Sequence, residues 1–112
     1  MAYLRELQPG EFINLAAGIY LEGLAVDHAR DLVWYSDVVA GGVRSASFDG
    51  APRFTLNPER MWTGGIMMNH CGAVLSSGQG GIMWNDPETG ASGWLLDTID
   101  GKPVNGINEM MP

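Results

Sequence analysis

A chain of 112 residues with 13 acidic against 6 basic side chains, net charge −7, and 46 % apolar residues is too short for more than one small domain and too apolar to stay disordered. Its six bases, Arg5, Arg30, Arg44, Arg53, Arg60 and Lys102, stand one by one, so no basic stripe is offered to a nucleic acid, and the acidic surface suits a cation or a neutral ligand. No apolar run approaches the roughly 18 residues that cross a bilayer, the N-terminus lacks the basic-then-apolar pattern of a secretory signal, and Cys71 is the lone cysteine; the expectation is a cytoplasmic protein without membrane or nucleic-acid partners.

Residues 1–11 read as a lead-in. Within them the window 1–8 is the best helical one, with Leu4 and Leu7 on one face and Pro9-Gly10 closing it. Everything later reads as short strands. The first set is predicted at about 12–18, 23–27, 32–38, 42–48 and 52–56, and the second at about 64–69, 73–77, 80–85 and 92–97. Turn chemistry separates them: Asp-His-Ala-Arg-Asp at 27–31, Ala-Gly-Gly at 40–42, Asp-Gly at 49–50, Asn-Pro at 57–58, Asp-Pro-Glu-Thr-Gly at 86–90 and Asp-Gly-Lys-Pro at 100–103. Glycine fills 16 positions, about twice the usual usage, and punctuates short apolar runs, as in an all-β protein rich in tight turns.

The two sets resemble each other. Gly23-Leu-Ala-Val-Asp27 precedes a turn and Leu32-Val-Trp-Tyr-Ser36; Gly65-Ile-Met-Met-Asn69 precedes a turn and Ala73-Val-Leu-Ser-Ser77. Each second strand leads to a Gly-Gly pair, 41–42 and 80–81, and Gly23 and Gly65 lie 42 positions apart. A period of about 40–50 residues with four short strands per unit is that of propeller blades. A β-sandwich with similar halves is the competing architecture.

Glu22-Gly23-Leu-Ala-Val-Asp27 followed by Leu32-Val-Trp-Tyr-Ser-Asp-Val38 resembles the opening blade of the senescence-marker-protein/gluconolactonase/luciferin-regenerating-enzyme family. Asp100-Gly-Lys-Pro-Val-Asn-Gly-Ile-Asn-Glu109 resembles that family's third-blade opening, where Gly-Lys precedes Asn-x-x-Asn-Asp. The resemblance spans roughly residues 12–112. It implies an all-β fold: a β-propeller fragment of about two four-stranded antiparallel blades plus the start of a third. The family's propeller has six blades, so the remaining blades are expected to be missing from this chain. Glu109, where the family commonly has Asp, and Gly106-Ile107, where some members carry an Arg that touches substrate, depart from the pattern.

The resemblance implies a divalent-metal site, with Ca²⁺ first and Mg²⁺, Mn²⁺ or Zn²⁺ as alternatives. Glu22 would be a metal ligand. Asn108 would face both metal and reacting substrate, and so is the candidate catalytic residue. Glu22, Gly64 and Asn108 precede successive inner strands at offsets of 42 and 44, which offers a carboxylate, a gap and an amide oxygen to one axis. Oxygen donors suit a hard cation. A Glu before a strand is otherwise an ordinary solvated turn residue, and Asn105-Gly106 is an ordinary turn pair.

Trp62 and Asn105 are the weaker candidates for touching substrate. Asp37 ends a second strand and is expected to pair with nearby backbone amides. His28, His70 and Cys71 fall in turns at the end opposite the candidate site, which argues against a His/Cys metal centre. Trp34, Trp84 and Trp94 are predicted inter-blade core, with Met67, Met68, Met83, Met110 and Met111 as soft filler.

The implied activity is a metal-dependent hydrolase that opens a sugar lactone or related ester with metal-activated water, the general base lying in later blades; the 112-residue protein alone is expected to be inactive. Ser76-Ser77-Gly78 does not match a Gly-x-Ser-x-Gly nucleophile elbow. A non-catalytic propeller serving as a binding or scaffold module is the alternative. A ring assembled from several two-blade copies is a third reading.

Overall fold

The computed structural model describes residues 8–111. The helical window predicted at 1–8 lies almost entirely outside them, as does most of the lead-in 1–11. The described part is all β. Strands β1 (Leu21–Asp27), β2 (Leu32–Asp37), β3 (Val43–Ser47) and β4 (Pro52–Leu56) form one antiparallel sheet in the order β1-β2-β3-β4. A second sheet repeats the arrangement with β5 (Ile66–Met68), β6 (Val74–Gly78), β7 (Gly81–Asn85) and β8 (Ser92–Leu96). The two sheets hold the internal repeat read from the sequence, one copy each. A small hairpin follows, β9 (Thr98–Ile99) with β10 (Lys102–Pro103).

Alternation of side chains along each strand sets the packing. Ala25, Trp34 and Ser45 occupy paired positions and share one face of the first sheet. That face meets Ile66 and Val74 of the second sheet. Leu32, Trp34, Val43, Ile66 and Val74 make the buried cluster, with Ala25, Phe54, Leu56 and Met68 against it. Burying each large aliphatic or aromatic member contributes about 1.5–3 kcal/mol. Trp34 is fully buried and stacks on Phe54 with ring centroids 5.8 Å apart. Its indole N–H finds a partner in the Asp27 carboxylate at 3.0 Å, which also accepts from Arg30 at 2.7 Å. Burial pushes the Asp27 carboxyl upward, but the Trp34 and Arg30 donors outweigh it and hold it below the usual range.

Four expectations are corrected. Residues 12–18 form no strand: among the described residues they pair with neither sheet, although β1 and β4 each have a strand on one side only. The segment is held at its end instead, where the Ile19 and Tyr20 amides donate to the Asp37 carboxylate. The strand predicted at 64–69 is only 66–68: the Gly64 N–H and the Gly65 carbonyl both bond to Ser77 of β6, two residues against one, which breaks the regular ladder, and the Gly65 N–H turns to the Asn108 carbonyl. Trp94 is not core. It sits on edge strand β8 at 46 % exposure, with the Arg60 guanidinium 5.4 Å over its ring. Met111 is 84 % exposed rather than filler.

The Asp100-Gly101 turn agrees with the sequence reading, but the hairpin around it is a finding of the structure. Both residues have positive φ, 52° and 74°, the two-residue turn geometry that Asp-Gly favours, and the turn joins β9 to β10.

Candidate functional site

Leu21 pairs with Asp37 and Ile66 with Ser76, so the start of each first strand lies beside the end of the second. The candidate residues gather at this end of the two sheets. His28 lies in the β1–β2 turn, and His70 and Cys71 in the β5–β6 turn, at the opposite end.

Two serines organise the candidate end. The Ser36 hydroxyl accepts the Gly23 amide at 2.7 Å and donates to the Gly64 carbonyl at 2.7 Å. Ser77, its counterpart in the second sheet, accepts the Gly65 amide at 2.8 Å and donates to the Asn108 carbonyl at 3.1 Å. Gly64 and Asn108 therefore occupy equivalent places, each held by the serine of the preceding sheet. Glycine is required at the first two of these steps: a methyl group on Gly23 would collide with the Gly64 carbonyl, and one on Gly64 with the Asn108 carbonyl.

Segment 105–108 is laid across the β6–β7 turn by backbone bonds. Gly80 N–H donates to the Asn105 carbonyl at 3.0 Å, and Ile107 N–H to the Gly78 carbonyl at 3.1 Å. These two bonds flank a single antiparallel bridge between Gln79 and Gly106. Asn105-Gly106 is thus a bridge and not the tight turn its sequence resembles. Trp62 is fixed from the other side. Its amide donates to the Val38 carbonyl at 3.1 Å, its φ is +57°, and the residue is 63 % exposed. Behind it, buried Thr63 donates to the Gly42 carbonyl at 2.8 Å.

Trp62, Asn105 and Asn108 line one cavity of about 410 Å³, together with Val38, Gln79 and Ile107. Its walls are mainly apolar, and three of its lining residues, Gln79, Asn105 and Asn108, carry carboxamides. Glu22 is exposed at the irregular start of β1 and lines a separate cavity of about 330 Å³, under residues 13–16 and against Leu24 and Tyr35. The structure thus brings three of the four sequence-predicted residues into one cavity and gives the fourth to another. By donor type, the Glu22 carboxylate and Asn108 amide fit a hard cation. By number they fill only a fraction of its usual six to eight oxygens. Among the described residues, His, Cys, Asp and Glu form no cluster of three able to hold a metal.

Asp37 supports the cavity wall as expected. Its buried carboxylate accepts amides from Ile19, Tyr20, Val39 and Ala40 at 2.8–3.3 Å, which fixes the loop that holds Val38. Burial raises its pKa, but these amide donors prevail and hold it below the usual carboxylate range.

Sequence reasoning misses Arg60. From the loop after β4 it reaches into the second sheet and donates to the carbonyls of Gln79 (3.0 Å), Ser76 (3.3 Å) and Gly81 (2.8 Å) and to the Ser76 hydroxyl (2.8 Å). It anchors the β6–β7 turn, whose Gln79 is a cavity wall. Burial pushes its pKa downward. A lone Arg beside an Asn-Pro turn gives no signal of this role.

Comparison with protein-family models, with curated proteins and with solved structures found no match. Among the described residues no helix is long and apolar enough to cross a membrane.

Proposed function

We propose that the two sheets are successive blades of a β-propeller of the gluconolactonase type, whose complete form hydrolyses a sugar lactone or related ester with a divalent cation. The observation that carries this reading is the repeated serine relay. Ser36 ties Gly23 to Gly64, and Ser77 ties Gly65 to Asn108, so the start of each first strand is linked to the next equivalent position along the chain, as stacked blades around an axis require.

On this reading Glu22 and Asn108 are two of the oxygen donors to the cation, Ca²⁺ before Mg²⁺, Mn²⁺ or Zn²⁺. When bound, such a cation polarises a carbonyl and lowers the pKa of water. Asn108 orients the reacting carbonyl from the cavity wall. Trp62 supplies an apolar face to the substrate ring and Asn105 a hydrogen-bonding group. The other donors and the general base belong to blades beyond these 112 residues, so the two blades alone bind metal weakly.

The test uses the protein extended to its full blade set, assayed for lactone hydrolysis with Ca²⁺, Mn²⁺ and Zn²⁺, with and without chelator. Glu22→Gln should abolish metal-dependent turnover and leave the melting temperature nearly unchanged. Turnover that survives Glu22→Gln overturns the ligand assignment; absence of lactone hydrolysis with every metal overturns the activity.

One observation favours the non-catalytic alternative: Glu22 and Asn108 line different cavities. A binding module would hold its ligand against Trp62, Asn105 and Asn108 with no metal dependence. The outer sheet faces, where Leu24 is 67 % and Leu95 60 % exposed, leave room for further blades or for a ring of copies. A stable trimer in solution would favour the ring.

A further inference from the structure

We propose that Asn105 is a site of spontaneous, self-catalysed deamidation that changes the charge of the cavity it lines. Asn105 is followed by Gly106, whereas the other asparagines precede Leu15, Pro58, His70, Asp86 and Glu109. Cyclisation at asparagine is limited by access of the next backbone nitrogen to Cγ of the carboxamide, and glycine hinders that approach least.

The fold leaves the reacting atoms available. Asn105 and Gly106 are both exposed. In the Gln79–Gly106 bridge the bonds are made by the Asn105 carbonyl and the Ile107 amide, so the Gly106 N–H has no partner among the described residues. The Asn105 carboxamide likewise makes no hydrogen bond there. By contrast, the Asn57 and Asn85 amides are bonded to each other at 3.0 Å, and the Asn69 Oδ1 accepts the Cys71 amide at 3.4 Å.

The step balances without an oxidant or cofactor. The Gly106 nitrogen attacks Cγ of Asn105, a new bond forms between them, and the Cγ–Nδ2 bond breaks. Ammonia leaves, its third hydrogen coming from the Gly106 nitrogen. Water then opens the succinimide to aspartate or isoaspartate. Either product puts a carboxylate in the cavity that holds Asn108 and Trp62. Isoaspartate also adds a methylene to the backbone between the two bridge bonds, which loosens the bridge. This chemistry is independent of the proposed hydrolase activity.

The test is peptide mapping by mass spectrometry of the 112-residue protein held in mildly alkaline buffer at body temperature. Asn105 should deamidate about tenfold or more faster than any other asparagine, a barrier lower by about 1.4 kcal/mol. The rate should rise with pH, and Gly106→Ala should slow it by a similar factor. An added methyl at Gly106 meets its nearest atom at 3.6 Å, an ordinary contact, so that variant keeps the fold. Deamidation at Asn105 no faster than at the other five, or a rate unchanged by Gly106→Ala, overturns the proposal.

Discussion

The hydroxyl of Ser36 donates to the carbonyl of Gly64, 28 positions later in the sequence and across the gap between the sheets, at 2.7 Å. With the Gly23 amide as its own donor partner, this one side chain satisfies a buried amide and a buried carbonyl together. Ser36→Ala should therefore leave two buried polar groups unpaired and cost about 2–4 kcal/mol. Ser77→Ala should cost less, because the Gly65 amide also reaches the Asn108 carbonyl directly at 2.9 Å. Urea unfolding of both variants checks the order; equal losses would show that the relays are not the difference.

Gly64→Ala places a methyl group where the Asn108 carbonyl lies. Backbone on both sides cannot yield cheaply, so a loss above about 3 kcal/mol is expected. Intrinsic fluorescence should also change, since Trp62 is two residues away and lines the same cavity as Asn108, the residue the methyl group would displace.

Asp37 makes stability depend on acid. Its folded pKa lies below its unfolded value, so its contribution is fully present above the unfolded pKa, about 3.9, and is lost as pH falls through the lower folded value. Unfolding free energy should decline below about pH 4. Asp37→Asn should flatten that decline and cost about 2–3 kcal/mol at neutral pH, since charge-assisted bonds to backbone amides are lost. A wild-type acid profile retained in the variant would place the acid sensitivity elsewhere, Asp27 being the next candidate.

Arg60→Met should destabilise by about 2–4 kcal/mol, because it leaves the Ser76, Gln79 and Gly81 carbonyls short of a donor. Arg60→Lys should recover little, since a single ammonium cannot reproduce the guanidinium's divergent donors. Thermal melts followed by tryptophan fluorescence give the readout, with Trp94 losing its overlying cation.

The strands and turns are legible to the extent that their causes are local. Leu32-Val-Trp-Tyr-Ser-Asp and Gly81-Ile-Met-Trp-Asn announce strands by composition, and the Gly-Gly pairs and Asp-Gly steps supply the positive φ that turns need. The 42-residue offset between Gly23 and Gly65 marks two copies of one four-stranded unit, and two such sheets are present. Phe12-Ile-Asn-Leu has similar strand composition and is not a strand, because composition permits pairing and does not select it.

By itself, the sequence determined an acidic, all-β protein made of two similar four-stranded units, with candidate polar residues at one end. Only the tertiary structure decided that Trp62, Asn105 and Asn108 share a cavity while Glu22 lines another, that Ser36 and Ser77 stitch each unit to the next, and that Arg60 staples the loop of one sheet into the other. The reason is range. Turn geometry and strand alternation are fixed within a few residues, whereas the choice of partner for a buried hydroxyl, amide or guanidinium depends on which distant backbone groups the packed sheets leave unpaired.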